Sequence, residues 1–304
     1  MDSSRSLAAL TPERERVVAV VVTYNRRQML RRCLQALHDQ ERRPDAVIVV
    51  DNASTDGTAA MVRAEAPWAQ LLALERNLGG AGGFEAGLRA AHDAGAEWSW
   101  LLDDDTFPRP DALLRLLERR SGTARLTPPS VLASRVVWRD GREHPMNMPI
   151  VARRDVAHLV ACVEAGVLPL RAATFVSFLV ARGAVERHGL PLGGYFIWAD
   201  DIEYSARILR RERGYVVPES VVEHCTPQPH TSVTHGGKRF YYHARNTLFM
   251  LRGDAWEAAE KQTILWTLVA SSLAFLRVNR FSAESVLTLA RGLRDGLRTV
   301  PGNA

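Results

Sequence analysis

Apolar and polar positions fall in blocks along the first third of the chain. Val17 to Val22 is a β-branched run closed by Thr23-Tyr24-Asn25, which predicts a buried strand. Arg27 to Gln40 carries Met29, Leu30, Cys33, Leu34 and Leu37 at helical spacing. Ala46 to Val50 predicts a second strand, and the turn-rich Asp51 to Gly57 leads into a helix from Thr58 to Ala66. Leu71 to Leu74 is a third strand, followed by a glycine cluster, Gly79-Gly80-Ala81-Gly82-Gly83, and a helix over Phe84 to Ala94. Trp98 to Leu102 predicts a fourth strand ending abruptly at Asp103-Asp104-Asp105, and Asp111 to Arg120 is helical again. Strands alternating with helices of this length predict βαβ units and a parallel sheet covered on both faces.

Beyond Arg120 the pattern changes. Ser130 to Trp138 and Ala173 to Ala181 are strand candidates among Pro and Gly turns. An aromatic, glycine-containing turn from Gly193 to Ala199 opens a helix expected to run through Arg213. Tyr215 to Val217 predicts a strand, with a separate apolar segment, Val221-Val222, before Glu223 and His224. From Phe240 onward the pattern is mainly helical. The expected organisation is a tail (1–16), a catalytic domain (17–250) and a helical region (251–304) that meets a membrane surface or a second subunit.

Polar residues gather where the first four strands end: Thr23 to Arg26, Asp51 to Asp56, Arg76 to Gly83 and Asp103 to Asp105. In open α/β sheets ligands bind at that carboxyl edge. Asp103 and Asp105 alternate with Asp104, so in an extended segment they point one way and Asp104 the other. Such carboxylates suit a hard divalent cation, Mn²⁺ or Mg²⁺, and the competing reading is a solvated acidic turn capping a helix near Pro110. Asp56-Gly57-Thr58 reads as a turn, with Thr58 capping the next helix. Asp200 and Asp201 open a helix, where one could take a proton from an attacking hydroxyl, or both could merely complement the helix dipole.

Composition narrows the classes. With 304 residues, 46% hydrophobic and 24% charged, the chain can bury a sizeable core. The net charge of +5 is carried almost wholly by arginine, since Lys238 and Lys261 are the only lysines. That charge matches phosphates on a nucleotide or an anionic lipid as well as it matches arginine-rich codon usage. Three scattered cysteines, Cys33, Cys162 and Cys225, argue against a disulfide framework and a thiolate zinc site. The spacing of His224, His230, His235 and His243 fits no zinc pattern. Gly80-Ala81-Gly82 lacks the third glycine of a dinucleotide fingerprint, where Glu85 stands, and no Walker A sequence occurs. The polar N-terminus has no apolar signal segment, and the run Thr263 to Leu276 is too short to span a bilayer. The expected location is therefore the cytoplasm, on the inner face of the membrane if the arginine-rich tail (Trp256 to Arg298) lies on anionic lipid.

In order and spacing, these segments resemble family 2 glycosyltransferases, in particular the galactofuranosyl- and rhamnosyltransferase branch. The resemblance is carried by Val20 to Arg26, Val49 to Ser54, Arg76 to Phe84, Leu102 to Asp105, Phe196 to Tyr204, His224 and Tyr242 to Asn246. It implies a GT-A fold, an α/β architecture with a mainly parallel Rossmann-like sheet and a helical C-terminal extension. It implies a nucleotide diphosphate sugar donor, linked to UDP or dTDP, held by Thr23, Tyr24, Asn25, Arg26, Asp51, Arg76, Asn77, Gly80, Asp103 and Asp104. Asp103, Asp105 and His224 would ligate Mn²⁺ or Mg²⁺. Asp201 would be the base with Asp200 beside it on the acceptor, and Arg245 and Asn246 would order the site or bind phosphate. One departure concerns the acceptor: in the galactofuranosyltransferases tryptophan directly precedes the Asp-Asp pair, whereas Ala199 intervenes here. The expected function is an inverting, metal-dependent transfer of galactofuranose or rhamnose to a glycan or polyprenyl-linked hydroxyl, by a chain that binds no nucleic acid and forms a monomer or homo-oligomer. The alternatives are a tailoring glycosyltransferase of a secondary metabolite and a non-catalytic nucleotide-sugar binder.

Overall fold

The computed structural model describes residues 15–120, 126–153, 155–228 and 236–302. Its first half follows the βαβ expectation. β1 (Val17–Thr23), β2 (Ala46–Asp51), β3 (Gln70–Ala73) and β4 (Trp98–Asp103) are parallel, in the order β3-β2-β1-β4. The helices α1 (Arg27–His38), α2 (Thr58–Glu65) and α3 (Gly79–Asp93) connect them. All seven residues of β1 are buried, because both faces of the sheet are covered. Each fully buried valine there contributes about 1.5–3 kcal/mol of transfer free energy.

The second half departs from a purely parallel sheet. After β5 (Thr106–Pro108) and α4 (Ala112–Glu118), β6 (Val131–Val137) joins the sheet through β9 (Phe178–Ala181), which runs antiparallel to both β4 and β6. β10 (Gly214–His224) pairs in parallel with β6, while β7 (Ile150–Val151) and β8 (Leu168–Ala172) complete the far edge. The expected single strand Ala173–Ala181 is thus confined to its last four residues, with β8 ending just before it. A helix, α5 (Val156–Glu164), had no sequence counterpart because its polar face is too weakly marked. The two expected pieces Tyr215–Val217 and Val221–His224 are one strand, joined through a register shift around Pro218, which has no N–H to donate. α6 (Arg182–His188) precedes α7 (Asp200–Leu209), which stops short of Arg213.

Two further expectations change at the glycines. Thr58 does not cap α2; Gly57 occupies the cap position in the left-handed region, and Thr58 is the first helical residue, its hydroxyl bonded to Asp56. The glycine cluster is the first turn and a half of α3 rather than a loop before it. Its glycines serve close packing: a Cβ at Gly83 would lie 2.5 Å from Val22 Cγ1, and one at Gly87 would lie 2.4 Å from Val20 Cγ1. Only Gly80 faces open space. α3 therefore presses directly on β1.

The C-terminal region is three helices, α8 (Phe240–Arg252), α9 (Ala258–Val278) and α10 (Ala283–Arg298). Residue 250, the expected boundary, lies inside α8, whose Phe240 stacks on Phe275 of α9 with centroids 3.9 Å apart. Adding one methyl group in the α3–β1 contact should overpack it. Gly87→Ala is expected to lower unfolding stability by about 1–3 kcal/mol, measured by urea denaturation, while Gly80→Ala, in the same helix with nothing within 4 Å of its Cβ position, should not share the steric penalty.

Candidate active site

The acidic cluster sits where β4 meets the carboxyl edge. The β1–β4 register sets Val22 beside Asp103, and the β1–β2 register sets Thr23 beside Asp51, so three strand ends converge. Asp104 turns toward β1: its carboxylate accepts from Thr23 Oγ1 at 2.7 Å and pairs with Arg26 Nη1 at 3.3 Å. Asp105 turns the other way, pairing with the same guanidinium and with His224 Nε2 at 3.1 Å. His224 reaches it because β10 pairs antiparallel with β5, placing His224 opposite Thr106, and Cys225 N donates to Asp105 O at 2.9 Å.

One ligand atom each from Asp103, Asp105 and His224 lies within 4.8 Å of the others. Two carboxylates and an imidazole are a donor set suited to Mn²⁺ or Mg²⁺. Electrostatics agrees with that fit. Burial pushes the Asp103 carboxyl up, with repulsion from Asp105 adding to it; Asp104 is pushed up to about 7 by burial and by Asp105. Asp105 is held low, its burial outweighed by His224 and Arg26. Negative charge at this edge exceeds what one arginine and one imidazole balance, which is the condition a divalent cation relieves.

His224 is oriented by residues that carried no sequence signal. Its Nδ1 lies 2.8 Å from Asn147 Oδ1, and the amide nitrogen of Asn147 donates to Thr174 Oγ1 at 2.9 Å. With the Asn147 oxygen accepting, Nδ1 carries the proton and Nε2 is left to face the carboxylates. The His144 ring packs against His224 with centroids 4.8 Å apart. Asn147 lies in a short turn between β6 and β7, 77 residues from its partner, and nothing in its neighbours marks it.

The loops after β1 and β2 carry most of the residues expected to hold a nucleoside. Asn25, in the left-handed region at φ 53°, accepts from Thr55 N at 2.7 Å while its own N–H donates to Ser54 Oγ at 2.8 Å. Asp51 accepts from Ser54 N at 3.0 Å. Tyr24 and Arg76 are exposed, and Asn77 accepts from Gly79 N at 2.8 Å, starting α3. Asp56 is spent on the local turn, accepting from Arg27 N.

The turn before Asp200 and Asp201 is strained. Phe196, Trp198 and Ala199 all have positive φ, at 66°, 67° and 69°. Non-glycine residues held there cost of order 1–3 kcal/mol each and persist only where neighbours enforce them. Asn246 of α8 supplies the enforcement, its amide nitrogen meeting the carbonyls of Tyr195, Ile197 and Trp198 at 3.0, 2.8 and 2.8 Å. Arg245 Nη2 adds bonds to Gly194 O and Tyr195 O at 2.9 and 2.7 Å. Both residues order the turn with these groups. The turn also docks on α3, where Ala81 N donates to Phe196 O at 3.2 Å, and Asn52 Nδ2 donates to Gly79 O at 3.1 Å. Asp200 and Asp201 leave this turn as the first residues of α7. Loss of water pushes both carboxyls up, and the charge of Asp103 acts in the same direction. His243 is not part of it; its Nε2 lies 2.9 Å from Ser271 Oγ. His230 and His235 lie outside the described residues.

The fold places the chain among GT-A glycosyltransferases. S. aureus TarS 1–349 superposes with a TM-score of 0.61 at 19% identity, over 94% of this chain and 81% of that one. The mannosyltransferase PcManGT from Pyrobaculum calidifontis, in complex with GDP-Man and Mn²⁺, superposes with a TM-score of 0.56 at 20% identity, over 94% of this chain and 81% of that one. The model described as Glycosyl transferase family 2 matches residues 18–149, and the chain spans less than two thirds of the length of the curated relatives it matches. Galactofuranosyltransferase GlfT1 of Mycolicibacterium smegmatis is 33% identical over 199 residues, 64% of this chain and 66% of that protein. Succinoglycan biosynthesis protein ExoO of Rhizobium meliloti is 36% identical over 154 residues, 50% of this chain and 43% of that protein.

Removing the group that fixes the His224 tautomer should loosen any cation held at Nε2. Asn147→Ala is expected to weaken Mn²⁺ binding by about 10–100-fold in calorimetry, with the folded circular dichroism spectrum retained. Unchanged affinity would rule out the orienting role.

Proposed function

We propose that this chain is an inverting, metal-dependent glycosyltransferase that moves a galactofuranosyl or rhamnosyl unit from a UDP- or dTDP-linked donor. The acceptor is a hydroxyl on a glycan or a polyprenyl-linked sugar. The observation that carries the reading is the Asp103–Asp105–His224 cluster at the end of β4, and the charge of Asp103 acting on Asp201 supports a base nearby. The likeness to galactofuranosyltransferase GlfT1 supports the sugar class.

The nucleoside lies against Thr23, Tyr24, Asn25 and Asp51, with Arg76, Asn77 and Gly80 closing the far side. Gly80 suits that place because nothing stands within 4 Å of where its Cβ would be. Arg26, half-exposed and already aimed at Asp104 and Asp105, offers its free N–H groups to the diphosphate. Asp103, Asp105 and His224 would hold Mn²⁺ or Mg²⁺, and a cation there would supply positive charge against the leaving diphosphate. Asp201 takes the proton from the acceptor hydroxyl while the oxygen attacks the anomeric carbon. A carbon–oxygen bond forms to the acceptor as the bond to the diphosphate breaks on the opposite face, and Asp200 steadies the acceptor hydroxyls. A base needs a pKa near the working pH, and loss of water raises that of Asp201 to about 7.

Two measurements test this reading. Release of UDP or dTDP from a donor panel, with products weighed by mass spectrometry, should require Mn²⁺ or Mg²⁺ and be lost in Asp105→Ala. Binding of nucleotide without turnover of any donor would overturn it. Asp201→Asn should lower kcat by about 10²–10⁴-fold with donor KM little changed. Because the base works as the carboxylate, the wild-type rate should rise with pH through a limb above the ordinary carboxylate range. A flat profile from acid to neutral pH would remove Asp201 from the proton step.

A further inference from the structure

The outer side of α9 has no partner within the chain. Its inner side packs through Leu268 and Phe275 onto Phe240 and Ala244 of α8. Outward lie Leu265, Trp266, Val269 and Leu273, with Trp266 66% exposed. Of the eighteen large hydrophobic side chains exposed among the described residues, ten fall between Leu265 and Val300, which makes this a patch rather than scatter. From Gln262 to Leu276 there is no charged residue at all, which is unusual for a helix open to water.

Basic residues frame the patch. Arg277 and Arg280 stand where α9 turns into α10, beside the exposed Val278 and Phe281, and Arg291 lies on the outer side of α10 next to Leu287. None of these three forms an ion pair or a side-chain hydrogen bond with another described residue. The carboxylates near the patch are taken: Glu284 faces Lys238, and Asp295 holds Arg294 and Tyr241. A second copy of this chain docking on the patch would thus bring apolar area but little free negative charge. A lipid surface with anionic headgroups brings both.

We infer that the outer face of α9 and the α9–α10 corner rest on an anionic phospholipid bilayer. Trp266, Leu273 and Phe281 enter the headgroup–acyl boundary, and Arg277, Arg280 and Arg291 meet lipid phosphates. The contact is peripheral, since no described helix is long and apolar enough to cross a membrane. The surface is rigidly joined to the acceptor turn. α8 carries both Asn246, which holds that turn, and the inner packing of α9, while Gly194 N donates to Gly302 O at 2.8 Å just past α10. A membrane-bound chain would therefore present the turn before Asp200 at a fixed place relative to the lipid.

The test needs neither donor nor metal, so it stands apart from the glycosyl-transfer reading. The full chain is sedimented with vesicles of phosphatidylcholine alone and with equimolar phosphatidylglycerol. The expected result is binding to the mixed vesicles, weakening with salt, and little binding to phosphatidylcholine. Replacing all three arginines (Arg277→Gln, Arg280→Gln, Arg291→Gln) should lower the partition coefficient on the order of a hundredfold, about fivefold per charge. Trp266→Gln with Leu273→Gln should weaken binding while leaving the net charge unchanged. No binding by the unaltered chain, or equal binding by both variants, would overturn the proposal. So would sedimentation equilibrium showing a dimer that Trp266→Gln dissociates, because a second copy would then cover the patch.

Discussion

Repulsion among three consecutive carboxylates at the end of β4 is the constraint on which the rest of the site depends. Asp104 and Asp105 are buried and Asp103 partly so, and such groups cannot all stay ionised side by side without positive or hydrogen-bonding partners. The chain answers by sending Asp104 to Thr23 and Arg26 and Asp105 to Arg26 and His224. That requires β1 to end beside β4 and β10 to return beside β5, which are the two strand pairings that bring distant sequence together. Neutralisation by a divalent cation would complete the balance, and the donor diphosphate would bring it further negative charge to hold.

A second requirement comes from α3. Its glycine-rich first turns let the helix press on β1 so closely that backbone replaces side chain at the contact. The same start of α3 is bonded to Asn52 after β2 and to the Phe196 carbonyl. The loop after β2 and the Phe196 turn are thus joined through the start of α3 by one side-chain and one main-chain hydrogen bond. Strain in the Phe196–Ala199 turn is balanced from α8, so the C-terminal helices are part of the site's support rather than an appendage.

Much of this was legible from residue order alone. The four parallel strands and the polar cluster at each of their ends follow from period, run length and charge. Those signals are local and strong. The stretch from 130 to 181 was read less well, because strands of four or five residues and one short helix carry too few positions to show a period. The expected helix starts at Phe84 but α3 starts at Gly79, since glycine disfavours a helix unless a close contact outweighs its entropy, and that contact is with strands far away in sequence.

What the sequence determined by itself is the chemistry available: carboxylates at the end of β4 and the start of α7, a histidine at the end of β10, and an apolar C-terminal run edged with arginine. Tertiary structure decided which of those groups meet. Only the β5–β10 pairing puts His224 against Asp105, only the turn after β6 brings Asn147 to its Nδ1, and only the packing of α8 leaves one side of α9 uncovered. Contacts between groups tens of residues apart depend on strand register and helix packing, which no window of sequence contains.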